Sequence, residues 1–326
     1  MKFSSRLHLR CSHRSLVAAL VLMVTGGFSP APAADSEPAT LAPKSLLLGL
    51  ARAGQRIVAV GDRGHVLLSD DQGRTWQQVI VPSNAMLTGV SFGDATHGWA
   101  VGHDGVILAT ADAGRTWHRQ AKDEGIDTVF LSAYFRDATH GWAVGAYGKF
   151  LTTTDGGATW IAQSPSSLES HYNSINAGPG DSLYLTGESG LLLASTDGGE
   201  KWQALDVPYD GSLFGLLPVG QQDLLVYGLR GHVFASTDRG RSWTPRKSAS
   251  EVLIMTGLQL KSGLVVMAGL GGNFQISRDQ GRTFSAWKPT QYNGGVSALL
   301  ETDDGALLVA GELGVARLTP PGGPAP

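Results

Sequence analysis

From Leu46 onward the chain is a succession of short apolar runs that alternate with polar, glycine-rich turns at a nearly constant rhythm. One unit shows the pattern. Leu87 to Phe92 alternates apolar with small or polar positions, Gly93-Asp-Ala-Thr-His-Gly98 is a turn, and Trp99 to Gly102 is a second apolar run. Gly102-His-Asp-Gly105 then closes a tight hairpin into Val106 to Thr110, and a further turn leads to Thr116 to Arg119. Period-two alternation in runs too short for helices, punctuated by glycine, predicts four antiparallel strands per unit and no helix.

The unit repeats. The block Gly61 to Trp76 recurs as Gly102 to Trp117, Gly145 to Trp160, Gly187 to Trp202, Gly228 to Trp243 and Gly269 to Phe284, and a seventh starts at Gly311 and stops short. The first glycines stand 41, 43, 42, 41, 41 and 42 residues apart, which is the length of one four-stranded propeller blade. The expected fold class is therefore all-β, a seven-bladed β-propeller of four-stranded antiparallel blades over residues 41–319.

Each complete block ends in an Asp-box, S/T-x-D-x-G-x-T/S-W. Asp71, Asp112, Asp155, Asp197, Asp238 and Asp279 can accept hydrogen bonds from the N–H groups of their own turn. Trp76, Trp117, Trp160, Trp202 and Trp243, with Phe284 in the sixth copy, are expected to fill the gaps between blades, each burying ~150–250 Å². Lys201 stands where the other copies have a hydroxyl residue. The Gly-x-x-Gly hairpins read as two-residue turns in which glycine supplies a positive φ. Hairpins and boxes together use 20 of the 44 glycines, so the glycine content follows from the repeat rather than from low complexity.

Closure is the open question, because an unpaired strand is a liability. Val296 to Leu300, Ala306 to Gly311 and Val315 to Thr319 supply three strands to the last blade, and Ala39 to Ser45 is expected to pair as its outer strand. Residues 34–40 and 320–326 otherwise read as flexible ends.

Upstream, Lys2, Arg6, Arg10 and Arg14 precede an apolar stretch from Leu16 to Phe28 and a small-residue site, Ala31-Pro32-Ala33. The pattern predicts a cleavable signal peptide over residues 1–33 and export to the periplasm or beyond. Cleavage removes Cys11, the one cysteine, which excludes disulfides, thiolate metal sites and a cysteine nucleophile. It also removes four of the 25 basic residues and none of the 28 acidic ones, leaving an acidic chain with no basic block, a poor match to nucleic acid.

Catalytic chemistry finds little support. Six Asp-box carboxylates spread around a rim are turn caps rather than a metal cluster. The histidine pairs His97 and His140, and His65 and His232, occupy equivalent repeat positions without ligand spacing. Neither metal nor cofactor is expected. Arg74, Arg115, Arg241 and Arg282 share one box position and read as solvated turn residues. A glycosidase would need two carboxylates facing each other across a cleft, so a glycan-active or glycan-binding propeller is the alternative class.

Binding has the better case. In a propeller the second-to-third strand turns share a face with the blade linkers, opposite the Asp-boxes. Those turns place Arg63, Asp104, Tyr147, Glu188, Arg230 and Glu312 around the mouth, beside Leu229, Leu270 and Leu313. The linkers add Tyr172, Tyr209, Trp287 and Tyr292. Charged and aromatic side chains in that mixture suit a protein partner.

The six Asp-boxes, the 42-residue period, and Gly-Trp-Ala-Val-Gly at 98–102 and again at 141–145 resemble the photosystem II stability and assembly factor family of Asp-box propellers across essentially the whole mature chain. The resemblance implies a non-enzymatic, lumenal or periplasmic scaffold that binds a protein client, an extramembrane segment of a membrane complex, during assembly. In phototrophs such proteins are thought to present arginines on the binding face. Here only Arg63 and Arg230 reach those turns.

Overall fold

The computed structural model describes residues 34–120, 125, 127–167 and 170–323; residues 1–33, expected to be a signal peptide, and residues 324–326 lie outside them. Among the described residues the chain forms only strands and single 3-10 turns. Six sheets have four antiparallel strands and one has three, each a meander in chain order. In the first blade these are Leu47–Ala53, Arg56–Gly61, Val66–Ser69 and Gln77–Val79.

The second strands Gly98–Gly102, Gly141–Gly145, Leu183–Gly187, Val265–Gly269 and Leu307–Gly311 are buried at every position. A blade packs on a neighbour at each face, so these runs read as continuously apolar rather than alternating. The core is accordingly divided among the joints between blades. At the first joint Val58 and Leu68 of blade one meet Ala100, Leu108 and Trp117 of blade two. The inner strands of successive blades touch, and Leu47–Ala53 meets Val296–Glu301 to close a seven-bladed ring. They enclose a channel of about 430 Å³ whose lining, including Leu48, Thr88, Leu131, Asn173, Phe214 and Met255, contains no charged side chain.

The outer strand of blade two runs over His118–Gln120, later than the expected Thr116 to Arg119. Thr116 is bound by its hydroxyl and N–H to Asp112 and Trp117 turns inward, so pairing starts only after them.

The hairpins also differ from expectation. In blade one Gly61 N–H donates to His65 O at 3.0 Å, leaving a three-residue loop with φ +53° at Arg63 and +67° at Gly64. The first glycine is extended, with φ −178°. It is required by proximity instead: a Cβ on Gly61 would stand 2.2 Å from Leu46 O. Only the seventh blade has the two-residue turn, with Gly311 opposite Gly314.

The expected strand at Ala39 to Ser45 does not form. Ala42–Lys44 is a 3-10 turn, and the last blade has the three strands Val296–Glu301, Leu307–Gly311 and Gly314–Leu318. The residues before the turn are taken up by blade one. Ser36 N–H donates to Val81 O at 2.9 Å, while the Gln78 side chain accepts from Ala39 N–H at 2.7 Å and donates to Glu37 O at 2.8 Å. Pro38 and Pro43 have no N–H for a ladder. At the other end, Gly323 N–H closes a turn onto Pro320 O.

Closure rests on packing and on a polar latch. Ala42, Leu47, Ala59, Leu67 and Ala310 form one buried cluster across the joint of blades seven and one. Below it, Asp304 accepts from Arg317 at 2.6 Å and from Arg74 at 2.7 Å. Arg317 also donates to Gln72 O at 2.9 Å, and Arg52 donates to Glu301 O at 2.6 Å. Arg74, exposed on its turn as expected, is therefore also a closure residue. Asp304→Ala strips both arginines of their shared acceptor at a partly exposed site, and should cost about 1–2 kcal/mol in denaturant unfolding. Asp206→Ala, on an exposed linker, should stay within about 0.5 kcal/mol of wild type.

Candidate partner-binding face

The two faces of the ring do different work. On one face each Asp-box is satisfied by its own turn. Asp71 Oδ1 accepts from Ser69 Oγ at 2.8 Å, Arg74 N at 3.0 Å and Thr75 N at 2.9 Å, and Oδ2 accepts from Thr75 Oγ1 at 2.6 Å. Ser69 Oγ in turn accepts from Gly73 N–H at 2.8 Å. Asp112, Asp155, Asp238 and Asp279 bind their hydroxyl partners in the same way. The following hydroxyl, with the N–H of its own residue, holds Asp71, Asp155, Asp238 and Asp279 down at about 2. The fourth box departs: Asp197 Oδ1 accepts from Ser195 Oγ and Lys201 N, but Lys201 has no hydroxyl to offer Oδ2.

Trp117 and Trp243 are buried, with Nε1 donating to Gly114 O and Gly240 O. Trp76, Trp160, Trp202 and Phe284 are half-buried. Carboxylates committed to their own backbones are poor ligands. Among the described residues no group of three or more His, Cys, Asp or Glu is placed to hold a metal.

On the other face the hairpin turns are tied to the blade linkers. Gly105 N–H donates to Thr128 O, Gly148 N–H to Ser170 O and Gly190 N–H to Gly211 O. Turns and linkers thus form one surface, and most of the candidate residues project from it. Arg63 is nearly free, with Asp62 at 3.6 Å, and Asp104, Arg230 and Glu312 are exposed. Glu312 Oε2 accepts from Gly295 N–H at 2.8 Å. Tyr147 is 76% exposed and meets the His171 ring edge-on at 4.7 Å. His171 Nδ1 lies 3.6 Å from Glu188 Oε1, so Tyr147, His171 and Glu188 form one cluster. Tyr209 is half-buried, its hydroxyl donating to Leu229 O at 3.0 Å, and Trp287 is half-buried against Phe274.

Two candidates are core residues. Tyr172 is 1% exposed and Tyr292 3%. Tyr172 packs with Phe150 and Leu185; the Tyr292 hydroxyl donates to Gly295 O and accepts from Leu313 N–H. The repeat itself carried the signal for Tyr172. It occupies the first inner-strand position, held elsewhere by Leu47, Leu87, Phe130, Leu213, Ile254 and Val296, all fully buried.

The leucines that the sequence places on these turns are exposed, and Val252 of a linker joins them. Leu229, Val252, Leu270 and Leu313 are 37%, 39%, 52% and 51% exposed. They lie on the turns of blades five, six and seven and the linker between blades five and six. Beside them a groove of about 480 Å³ is lined by Val252, Leu270, Phe274, Trp287 and Pro289. The variable pair of each hairpin held the clue: Asp-Arg, His-Asp, Ala-Tyr and Glu-Ser in blades one to four, against the leucine-containing Leu-Arg, Leu-Gly and Glu-Leu in blades five to seven. Exposed apolar side chains on neighbouring turns, bordered by charge, are the kind of surface that suits a contact.

The fold and its two faces define an Asp-box β-propeller of seven blades, with a self-satisfied rim on one side and a variable surface on the other. The family described as "Photosynthesis system II assembly factor YCF48" matches residues 67–131 and 121–297, and the chain belongs to it. No curated protein matches in sequence. Among solved structures, YCF48 from Cyanidioschyzon merolae is 18% identical, with a TM-score of 0.70 over 87% of this chain and 98% of its own. A structure of YCF48 bound to D1 peptide is 16% identical, with a TM-score of 0.69 over 90% of this chain and 96% of that one. The WD40 propeller domain of Doa1, at 11% identity, reaches 0.67 over 87% of this chain and 95% of its own. At these identities the structural likeness establishes the propeller alone.

The defect in the fourth box can be repaired. Lys201→Thr supplies the hydroxyl that Asp197 Oδ2 lacks, and should raise Tm by roughly 1–3 °C in calorimetry. The reverse change in an intact box, Thr159→Lys, should lower it.

Proposed function

We propose that the protein is a non-enzymatic scaffold that holds a polypeptide client on its hairpin face and assists the assembly or stability of a membrane protein complex. The observation that carries this reading is the mixed chemistry of that face within a family of assembly factors: charged hairpin turns in blades one, two and four, the exposed Tyr147 in blade three, and exposed leucines beside Arg230 and Glu312 in blades five to seven. A surface of this kind suits a segment with one apolar and one polar end, such as the extramembrane end of a membrane protein. That YCF48 has been captured with a D1 peptide supports a peptide-like client. The basic, apolar and small-residue succession of residues 1–33 supports a periplasmic or lumenal site of action. A glycosidase reading draws no support from the face, where Asp104 and Glu188 stand on separate blades and Glu188 is engaged by His171.

The test is a pull-down from solubilised membranes with three baits. Wild type should recover a discrete set of proteins; Leu270→Asp/Leu313→Asp should lose it, and Tyr147→Ala/Arg230→Glu should weaken it. Equal recovery by all three would remove the hairpin face as the binding surface.

A further inference from the structure

Among the described residues Gly314–Leu318, the third strand of the seventh blade, is an unpaired sheet edge. In each of the other blades a fourth strand flanks the third, whereas Gly314–Leu318 pairs only with Leu307–Gly311. The register identifies the groups that face the vacancy. Ala310 opposite Val315 and Leu308 opposite Arg317 match Val60 opposite Val66 and Val58 opposite Leu68 in blade one. Opposed residues in an antiparallel ladder alternate between bonded and non-bonded pairs. Gly61 N–H bonding to His65 O sets the phase, so the peptide groups of Val66 and Leu68 turn outward. The equivalents of Val66 in blades three and four confirm it: Phe150 O and Leu192 O accept from Gln163 N and Leu205 N, just beyond the outer strands. By the same register the N–H and C=O of Val315 and Arg317 point into the vacancy. Among the described residues no backbone group meets them there.

The described residues nearest the edge are otherwise engaged. Pro43 and Lys44 pack on Gly314, at the start of the strand. Ser36, Glu37 and Ala39 are held by Val81 and Gln78 of blade one. Beyond Leu318 come Pro320, which is buried, and Pro321, neither with an N–H to give, in a turn that leads away.

We propose that this edge is a strand-addition site, at which an extended segment of a client polypeptide completes the seventh blade as its fourth strand, antiparallel to Gly314–Leu318. The six native outer strands describe the occupant: Gln77–Val79, His118–Gln120, Ile161–Ala162, Gln203–Ala204, Thr244–Arg246 and Ser285–Trp287 are two or three residues long and contain no acidic residue. Proline is tolerated only where the N–H faces away, as at Pro245 opposite Phe234. The occupant is thus a short, extended, uncharged or basic segment with free N–H groups at alternate positions. The vacancy is that of one missing strand, ~4.8 Å wide, which a single extended segment fits. Two or three residues make a weak contact, so the segment belongs to a client held mainly elsewhere. That assignment rests on the scaffold reading, but strand addition itself does not.

The probe is a synthetic peptide with this chain's own residues 75–80, Thr-Trp-Gln-Gln-Val-Ile, read by residue-resolved amide exchange on the intact protein. Without peptide, the Val315 and Arg317 amides should exchange as exposed groups while Ala316 and Leu318, bonded to the second strand, are protected. Peptide at millimolar concentration should slow Val315 and Arg317 by about tenfold or more. The same peptide carrying Val79→Pro, which removes a ladder N–H, should not. The proposal is overturned if both amides are protected without peptide, which would mean that the chain's own end or a second copy fills the edge. It is overturned equally if the peptide has no effect or if the proline peptide protects as well. Because the probe is not the client, a failed pull-down would leave this outcome intact, and the converse.

Discussion

A propeller blade is apolar on both faces and can bury them only between two other blades, so every joint depends on the ring being closed. The second strands show how fully the constraint applies, being buried throughout in five of the seven blades. Six joints lie between blades consecutive in the chain, where linkers hold the partners together. The seventh joins blades about 240 residues apart, and it alone combines the Ala42 cluster with the bridge from Arg74 and Arg317 to Asp304. Loop-closure entropy grows slowly with chain length, so a modest latch suffices. The latch lies on the Asp-box face, while the opposite face is held by hydrogen bonds between hairpin turns and blade linkers.

Much of this was legible in the residues. A period of 41 to 43 with glycine, aspartate and tryptophan at fixed offsets specifies blade length, strand order and turn positions, because each of those residues answers a local backbone demand. Properties that depend on two distant segments were not legible. Ala39 to Ser45 stands where an outer strand would be useful, but the Gln78 side chain and Val81 O compete for the N–H groups just upstream. Arg74 looked like its repeat equivalents, and only Asp304 across the joint distinguishes it. Tyr172 was legible but read by residue type rather than by repeat position; its place in the period marked it as core. The hairpin glycines were identified correctly as necessary, yet for the first of each pair the reason is contact with a neighbouring carbonyl, a tertiary fact.

The hairpin face carries the variation among blades. Its frame is costly to alter, since positive φ at Arg63, Asp104, Tyr147, Ser189 and Arg230 places non-glycine side chains in a sparsely populated backbone region. Such strain holds these side chains outward on short rigid loops, a sound arrangement for contact. Charged, aromatic and apolar side chains are thereby presented together on one face, the mixture on which the proposed scaffold role rests.

The most direct test of that account is site-specific photo-crosslinking in membranes from the source cell. A photoreactive phenylalanine analogue at Leu270, on the hairpin face, should yield a discrete adduct with one or a few polypeptides. The same group at Arg115, on the Asp-box face, should yield none. Adducts from Arg115 with none from Leu270 would contradict it.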